Sequence, residues 1–278
     1  MFPPKSILFP VDFSQRCSGG ARMVEVFAGH FEAEITLLHV VEPPTYSDVA
    51  IDNTPLAQRE LESWLGSELK HFSVRRVLTH GDAATRITEY ANSGRFDLVM
   101  MPTHGYGGFR RLVLGSVTAR VLDHVNAPVC TGVHMECVPA LEKIEIRNIV
   151  CAVDLGKQSC PAMALARGLA EAFGARLTVV HALAEVQETT SLGCDQDWRI
   201  AVERDAVERI ANLQQSLGME ADQVVASGEA PRVVHDTATR VAANLLVIGR
   251  SQRQGVLGRL RANAYSIIRQ SPCPVISV

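Results

Sequence analysis

The chain has 278 residues, 47% hydrophobic and 21% charged, with a formal net charge of −3 and a pI near 6.3. That length suits roughly two ordinary domains, each with apolar residues enough for a core, and the slightly acidic balance excludes a nucleic-acid binder that works by bulk positive charge. No apolar run reaches membrane-span length and the opening "MFPPKSILFPVDFS" lacks a basic stretch followed by an apolar one, so a cytoplasmic protein that engages neither nucleic acid nor membrane is expected.

Along the first half, apolar β-branched runs predict strands near residues 5–11, 35–41, 74–79, 97–102 and 127–133. Ser14 is placed to cap a first helix. A second helix is expected from Thr54, with Pro55 at its first position. It is expected to run through "AQRELESWLGSELKHF", where Leu61, Trp64, Leu65 and Leu69 recur at helical spacing. Asp82 can cap a third helix and Ser116 a fourth.

The order then repeats. "KSILFPVDFSQ" matches "RNIVCAVDLGKQ", with Asp12 and Asp154 142 positions apart, and "ITLLHVVE" matches "LTVVHALAE", with His39 and His181 again 142 apart. Gly81 matches Gly228 at an offset of 147, and "NAPVCTGV" matches "SPCPVISV". Four matched blocks in one order indicate duplication. The expected domains are 1–138 and 139–278, with the linker inside His134–Glu145. The long helix of the second copy, "WRIAVERDAVERIANLQQSLG", is expected to end at Gly218. Strand–helix alternation with near-continuous apolar strands predicts two tandem Rossmann-like, doubly wound α/β domains, each with a five-stranded, mainly parallel sheet flanked by helices. Ligands of such sheets lie beyond the strand C-terminal ends, where the strand order reverses.

Seven cysteines, an odd number, occur without a C-x-x-C pair. They form neither a disulfide framework nor a zinc ribbon, and most are expected to act as small buried hydrophobes. Cys130, His134, Glu136 and Cys137 are the one local cluster with metal-ligand chemistry, and their spacing fits no standard zinc pattern.

The stretch "PTHGYGGFRRLVLGSVTA", Pro102 to Ala119, puts glycines after a predicted strand and Gly115-Ser116 at the head of a predicted helix. Free N–H groups at a helix start accept anions, and glycine lets a ligand approach the backbone. The spacing fits neither the Walker A nor the dinucleotide fingerprint, so a phosphate cradle and a plain glycine turn both remain open. Asp12 and Asp154 are open in the same way between ligand contact and turn capping. His39 and His181 are expected to be half-buried and bonded to neighbouring backbone.

With these blocks in order, the sequence resembles a tandem member of the universal stress protein family. That family carries G-x2-G-x9-G-[ST] after its fourth strand and an Asp at the end of its first. Here the pattern reads from Pro102 to Gly105, then nine residues, then Gly115-Ser116, while "ILFPVDFS", "TLLHVVE" and "NAPV" resemble further family blocks. The resemblance implies a stress-response protein binding ATP, or AMP or ADP, with or without Mg2+. It places adenine near Pro10, Val11, Asp12 and Val40, and phosphates near Thr103, His104, Gly105, Gly115, Ser116 and Val117. Pro102 departs from the pattern, because proline has no N–H and a fixed φ.

The second copy departs further. It reads Gly249 to Gln252, nine residues, then Ala262-Asn263, or Arg261-Ala262 in a register one residue shorter; neither is Gly-Ser, although Arg250, Arg253, Arg259 and Arg261 crowd the same stretch. The first copy is therefore the expected nucleotide site and the second a degenerate one. A nucleophile elbow is absent and no lysine stands in the loop, so any ATPase turnover is expected to be slow. A regulatory binding module read by a protein partner, and a scaffold that has lost its ligand, are the two readings carried forward. The resemblance also implies pairing of the two domains within the chain through their last strands, which would cover apolar edges, and further dimerisation.

Overall fold

Each apolar run becomes a strand, and each amphipathic stretch becomes the helix that carries the chain back for the next one. The computed structural model describes residues 2–43, 53–103, 114–132, 144–184, 194–250 and 258–278, the side chains of 194–196 and 258–262 excepted. The chain divides into two units, Met1–Glu145 and Ile146–Val278.

Unit 1 runs β1 (Ser6–Val11), α1 (Gln15–Phe31), β2 (Glu34–Val41), α2 (Thr54–Ser63), β3 (Val74–His80), α3 (Ala83–Ala91), β4 (Leu98–Met100), α4 (Ser116–His124) and β5 (Val129–Thr131). Its strands lie in the order β3-β2-β1-β4-β5. β1 pairs in parallel with β2 from Ser6↔Glu34 to Val11↔His39, and with β4 at Ile7↔Leu98 and Leu8↔Val99. The chain thus winds outward from β1 to β3, returns, and winds the other way through β4. Right-handed crossovers then assign α1 and α2 to one face and α3 and α4 to the other, and α3 does pack on α4. Ile7, Leu8 and Phe9 are wholly buried, as a strand covered on both faces requires.

Unit 2 repeats the plan as β6 (Asn148–Ala152), α5 (Ser159–Phe173), β7 (Arg176–Leu183), α6 (Cys194–Leu217), β8 (Asp222–Ser227), α7 (Ala230–Arg240), β9 (Leu245–Ile248), α8 (Gly258–Gln270) and β10 (Val275–Ser277), with its strands in the order β10-β9-β6-β7-β8.

The duplication extends to single backbone bonds. In unit 1, Asp97 Oδ2 accepts the amides of Lys5 and Ser6 at 3.0 and 3.2 Å; in unit 2, Asn244 Oδ1 accepts those of Arg147 and Asn148 at 2.8 and 3.0 Å. Both units turn after their first strand in the same way. Asp12 Oδ1 accepts the Ser14 amide at 3.0 Å, and Asp154 Oδ1 accepts the Gly156 amide at 2.8 Å. The residue between is left-handed in each, Phe13 with φ 62 and Leu155 with φ 57. A left-handed L-residue costs about 1–2 kcal/mol, so the carboxylate–amide bond holds each turn against its own strain.

Two elements differ from expectation. α2 stops at Ser63 instead of continuing to Leu69, and Leu65 is left-handed with φ 51. The cause is Arg76 of β3, whose guanidinium donates to the carbonyls of Leu61 and Trp64 at 2.9 and 3.2 Å and satisfies the helix C-terminus there. Freed from the helix, Trp64 reaches Phe9 and Phe13, with ring centroids at 6.1 and 6.0 Å. α8 begins at Gly258, several residues before Ala262; Arg259, Leu260, Arg261 and Ala262 are all good helix formers. Gly218 ends α6 as expected, with φ 59.

Strain at the repeated turn is testable. Leu155→Gly relieves the left-handed conformation, whereas Leu155→Val puts a β-branch into it. In urea unfolding the valine variant is expected to be less stable than the glycine variant by about 1–2 kcal/mol at unchanged m. Equal midpoints would show that the turn stores no strain.

Candidate functional site

Strand order reverses between β1 and β4, so the loops that leave their C-terminal ends part from each other, the position where sheets of this kind take their ligands. β1 brings Pro10 and Val11 to that edge, both buried, and Asp12 follows, half-buried. β2, the neighbour of β1, contributes Val40, half-buried and paired with Thr79. β4 is followed by Pro102 and by Thr103, which is 1% exposed. Gly115, Ser116 and Val117 open α4. His104 and Gly105 lie outside the described residues.

The helices of unit 1 start in two ways, α1 and α3 with a side-chain cap and α2 and α4 without one. Ser14 caps α1 by accepting the Cys17 amide at 3.3 Å, and Asp82 caps α3 by accepting the Thr85 amide at 2.9 Å. α4 has no side-chain cap; its N-cap is Gly115, and Ser116 is the first helical residue, not the cap expected from sequence. The Gly115 amide is itself taken by the Thr103 carbonyl at 2.9 Å. The next three amides, those of Ser116, Val117 and Thr118, take no partner among the described residues. The first intrahelical bond comes only at Ala119, whose amide reaches Gly115 at 2.9 Å. Such orphan donors carry the positive end of the helix dipole.

The position of this turn is fixed from behind. The Thr118 hydroxyl donates to the Pro102 carbonyl at 3.2 Å, in the interior. With the Gly115–Thr103 bond it ties the start of α4 to the end of β4. Further along α4, Arg120 reaches across to Asp82 and Thr85, donating to Asp82 Oδ2 at 2.9 Å and to the Thr85 hydroxyl at 3.0 Å, with its other terminal nitrogen 2.9 Å from Asp82 Oδ1. A planar guanidinium on a carboxylate gives a directional link. The Thr85 hydroxyl and amide, with Arg120, hold the Asp82 carboxyl down to about 2.

Around Asp12 the chemistry is different. Burial and the adjacent Asp12 carboxylate push the Cys17 thiol far above the usual thiol range, so it stays protonated. His39 Nδ1 lies 2.9 Å from the Val11 carbonyl, which makes that nitrogen the protonated one. Phe13 stacks on His39 with centroids at 4.2 Å and planes at 26°. The sequence reading missed Phe13 and Trp64 as parts of this corner, because a left-handed turn and a truncated helix place them there. Thr118 and Arg120 were also missed, as their partners are fixed by tertiary packing and leave no spacing signal.

Unit 2 brings the equivalent residues to its own β6–β9 edge with different outcomes. His181 Nδ1 meets the Val153 carbonyl at 2.8 Å, repeating His39. Gly249, the counterpart of Pro102, is covered: a Cβ there would stand 2.7 Å from Gln158 Cβ. Ala262 and Asn263 sit past the first turn of α8, so their amides belong to the helix ladder. Of the arginines noted in this stretch, Arg250 is buried and its amide meets the Val278 carbonyl at 2.6 Å; Arg253 and the side chains of Arg259 and Arg261 lie outside the described residues. Cys130 is buried in β5, and burial pushes the thiols of Cys151 and Cys273 up to about 12 and about 11. His134, Glu136 and Cys137 lie outside the described residues, among which no group of three His, Cys, Asp or Glu side chains is placed to hold a metal ion. No helix among the described residues is long and apolar enough to cross a membrane.

Fold and site together define a pair of α/β units of the Rossmann-like kind, each with its loops meeting at a strand-order reversal. The universal stress protein family matches residues 4–131 and again residues 145–278, and the chain belongs to that family as a tandem, two-domain member. Among curated relatives, universal stress protein MJ0577 of Methanocaldococcus jannaschii is 26% identical over 149 residues, covering 45% of this chain and 92% of that protein. Universal stress protein Slr1230 of Synechocystis is 31% identical over 127 residues, covering 45% of this chain and 41% of the other. Among solved structures, a universal stress protein from Archaeoglobus fulgidus superposes with a TM-score of 0.71 at 20% identity, over 98% of this chain and 95% of its own, which speaks to fold alone.

The Asp82–Arg120 link predicts an acid limb. Because the folded carboxyl titrates below its ordinary value of 3.8, it stabilises the fold above that value, and the contribution is lost as pH falls towards 2. Urea midpoints between pH 5 and pH 2.5 are expected to fall more steeply for the native chain than for Asp82→Asn. Parallel slopes would remove the link from the folded state.

Proposed function

We propose that the chain is a stress-response binding module whose unit 1 holds an adenine nucleotide, ATP or its di- or monophosphate, and whose occupancy is read by a protein partner. The observation that supports this most is the uncapped opening turn of α4. Three amides without a partner among the described residues open this helix, which follows the β4 edge and, unlike α1 and α3, has no side-chain cap. Each charge-assisted hydrogen bond from such a turn to phosphate contributes about 1.5–3 kcal/mol. In this reading Gly115, Ser116, Val117 and Thr103, with His104 and Gly105, surround the phosphates. Pro10, Val11, Asp12 and Val40 border the adenine, and the Asp12 carboxylate accepts from its amino group. An Mg2+ would be carried by the phosphates themselves. Turnover, if any, is slow, since the described edge offers no lysine to a transferring phosphoryl group.

A ligand-free scaffold is the competing reading. It draws on Pro102, which has no amide to give, and on the Gly115 amide already bonded to Thr103. The two readings part at Gly115. Its φ of −59 and ψ of 146 suit any residue, so Gly115→Asp is expected to cap α4, leave the fold intact or stabilise it by about 1 kcal/mol, and place a carboxylate where phosphate would sit. Native mass spectrometry of gently purified protein should find adenine nucleotide on the unmodified chain and at least tenfold less on the variant. Equal occupancy would move the site elsewhere, and a bare unmodified chain that also ignores added ATP would favour the scaffold.

A further inference from the structure

β8 stands at the end of the strand order. An end strand offers a row of backbone groups to another chain, and proteins commonly blunt such edges with Lys, Arg or Pro. β8, with the sequence "DQVVAS", carries none of these. Val224, Val225 and Ala226 are half-buried, and Asp222 and Gln223 are exposed. Beside this strand runs a groove of about 540 Å³, with Val224 and Ala226 on one side and α7 on the other.

The side of α7 that lines the groove carries Glu229, Arg232, Asp236 and Arg240. Their spacing places all four in one stripe along the helix, with charges −, +, −, +. The stripe points away from α8, to which α7 is joined by His235 Nδ1 at 2.6 Å from the Gln270 carbonyl. Arg232 Nε lies 3.7 Å from Asp236 Oδ2, with the two side chains 82% and 64% exposed, so this pair contributes little on its own. Glu229 and Arg240 are exposed and form no ion pair among the described residues.

Read backwards, the stripe is +, −, +, −, the complement of itself. A two-fold axis near residue 234 sets Glu229 against the partner's Arg240 and Arg232 against the partner's Asp236. β8 has its own centre between Val224 and Val225. α7 runs back along the sheet from Glu229 at about 1.5 Å per residue, so residue 234 lies about 7.5 Å from its start. At about 3.3 Å per strand residue, that is level with Val225. One two-fold axis therefore serves both strand and helix, as an isologous contact requires.

Unit 1 lacks this arrangement. At the 147-residue offset the stripe reads Asp82, Thr85, Glu89 and Ser93, with no cation. Val233 is replaced by Arg86, whose Nε donates to the His80 carbonyl at 2.8 Å, at the end of β3. β3 itself carries Arg75 and Arg76. The unit 1 edge is blunted where the unit 2 edge is self-complementary.

We propose that the β8 edge and the outer stripe of α7 bind a second copy of this chain, with the two β8 strands antiparallel about Val225 and the stripes facing each other across the joined grooves. The contact is independent of the nucleotide reading of unit 1. It closes on itself, so it gives a dimer and not a filament.

Sedimentation velocity of the full chain over a concentration series tests it. A monomer–dimer equilibrium is expected, weakened at least tenfold by high salt. Arg232→Glu and Asp236→Arg should each weaken the dimer at least tenfold, because each sets like charges face to face. The double variant Arg232→Glu/Asp236→Arg should restore it. An equimolar mixture of the two single variants should also associate more tightly than either alone, since the mixed pair matches every charge. Melting curves establish that each variant is folded; should Arg232→Glu fold poorly, Asp236→Arg reads the same contact. The proposal is overturned if the chain stays monomeric at every concentration, if a dimer forms that ignores the single substitutions, or if neither the double variant nor the mixture recovers association.

Discussion

The constraint on which the site depends is a helix that begins without a cap. Any α-helix leaves its first amides unbonded, and most sequences answer with a serine, threonine, aspartate or asparagine. α1 and α3 follow that rule through Ser14 and Asp82. α4 starts at Gly115, which has no side chain to give, and the structure instead spends its bonds on placement: Thr118 to Pro102 in the interior and Gly115 to Thr103 at the rim. The turn is tied to β4, while the amides of Ser116, Val117 and Thr118 take no partner among the described residues. Pre-organised donors of this kind bind an anion without further ordering of the chain.

Duplication lets the two units serve as controls for each other. Both keep the carboxylate-pinned left-handed turn after the first strand and both keep the histidine tied to the first strand's last carbonyl. These shared features belong to the scaffold, since they persist where the fourth-strand edge differs between the units. The differences gather at one edge. Unit 2 covers Gly249 with Gln158 and begins α8 at Gly258, so Ala262 and Asn263 lie inside the helix and not at its opening. Unit 1 builds an aromatic corner from Phe13, His39 and Trp64, where unit 2 has Leu155 at the left-handed position.

Most of the fold was legible in the sequence because it rests on local signals. β-branched runs fall on the observed strands, and Ser14, Asp82 and Gly218 mark helix ends through their own chemistry. The matched aspartates and histidines exposed the duplication, down to bonds that repeat within a few tenths of an ångström. The elements that escaped were decided at long range. The apolar spacing of Leu61, Trp64, Leu65 and Leu69 was helical, yet Arg76 from β3 ended the helix early. Ser116 looked like a cap, but Gly115 took that position.

The central claim concerns three amides, and amide hydrogen exchange reads them one by one. Ser116, Val117 and Thr118 are expected to exchange fast in the nucleotide-free chain and to slow by at least tenfold when ATP is added, while the already bonded Gly115 and Ala119 amides change little. If those three amides are slow without ligand, or stay fast at saturating ATP, the opening turn of α4 is not the anion site and the account fails at its base.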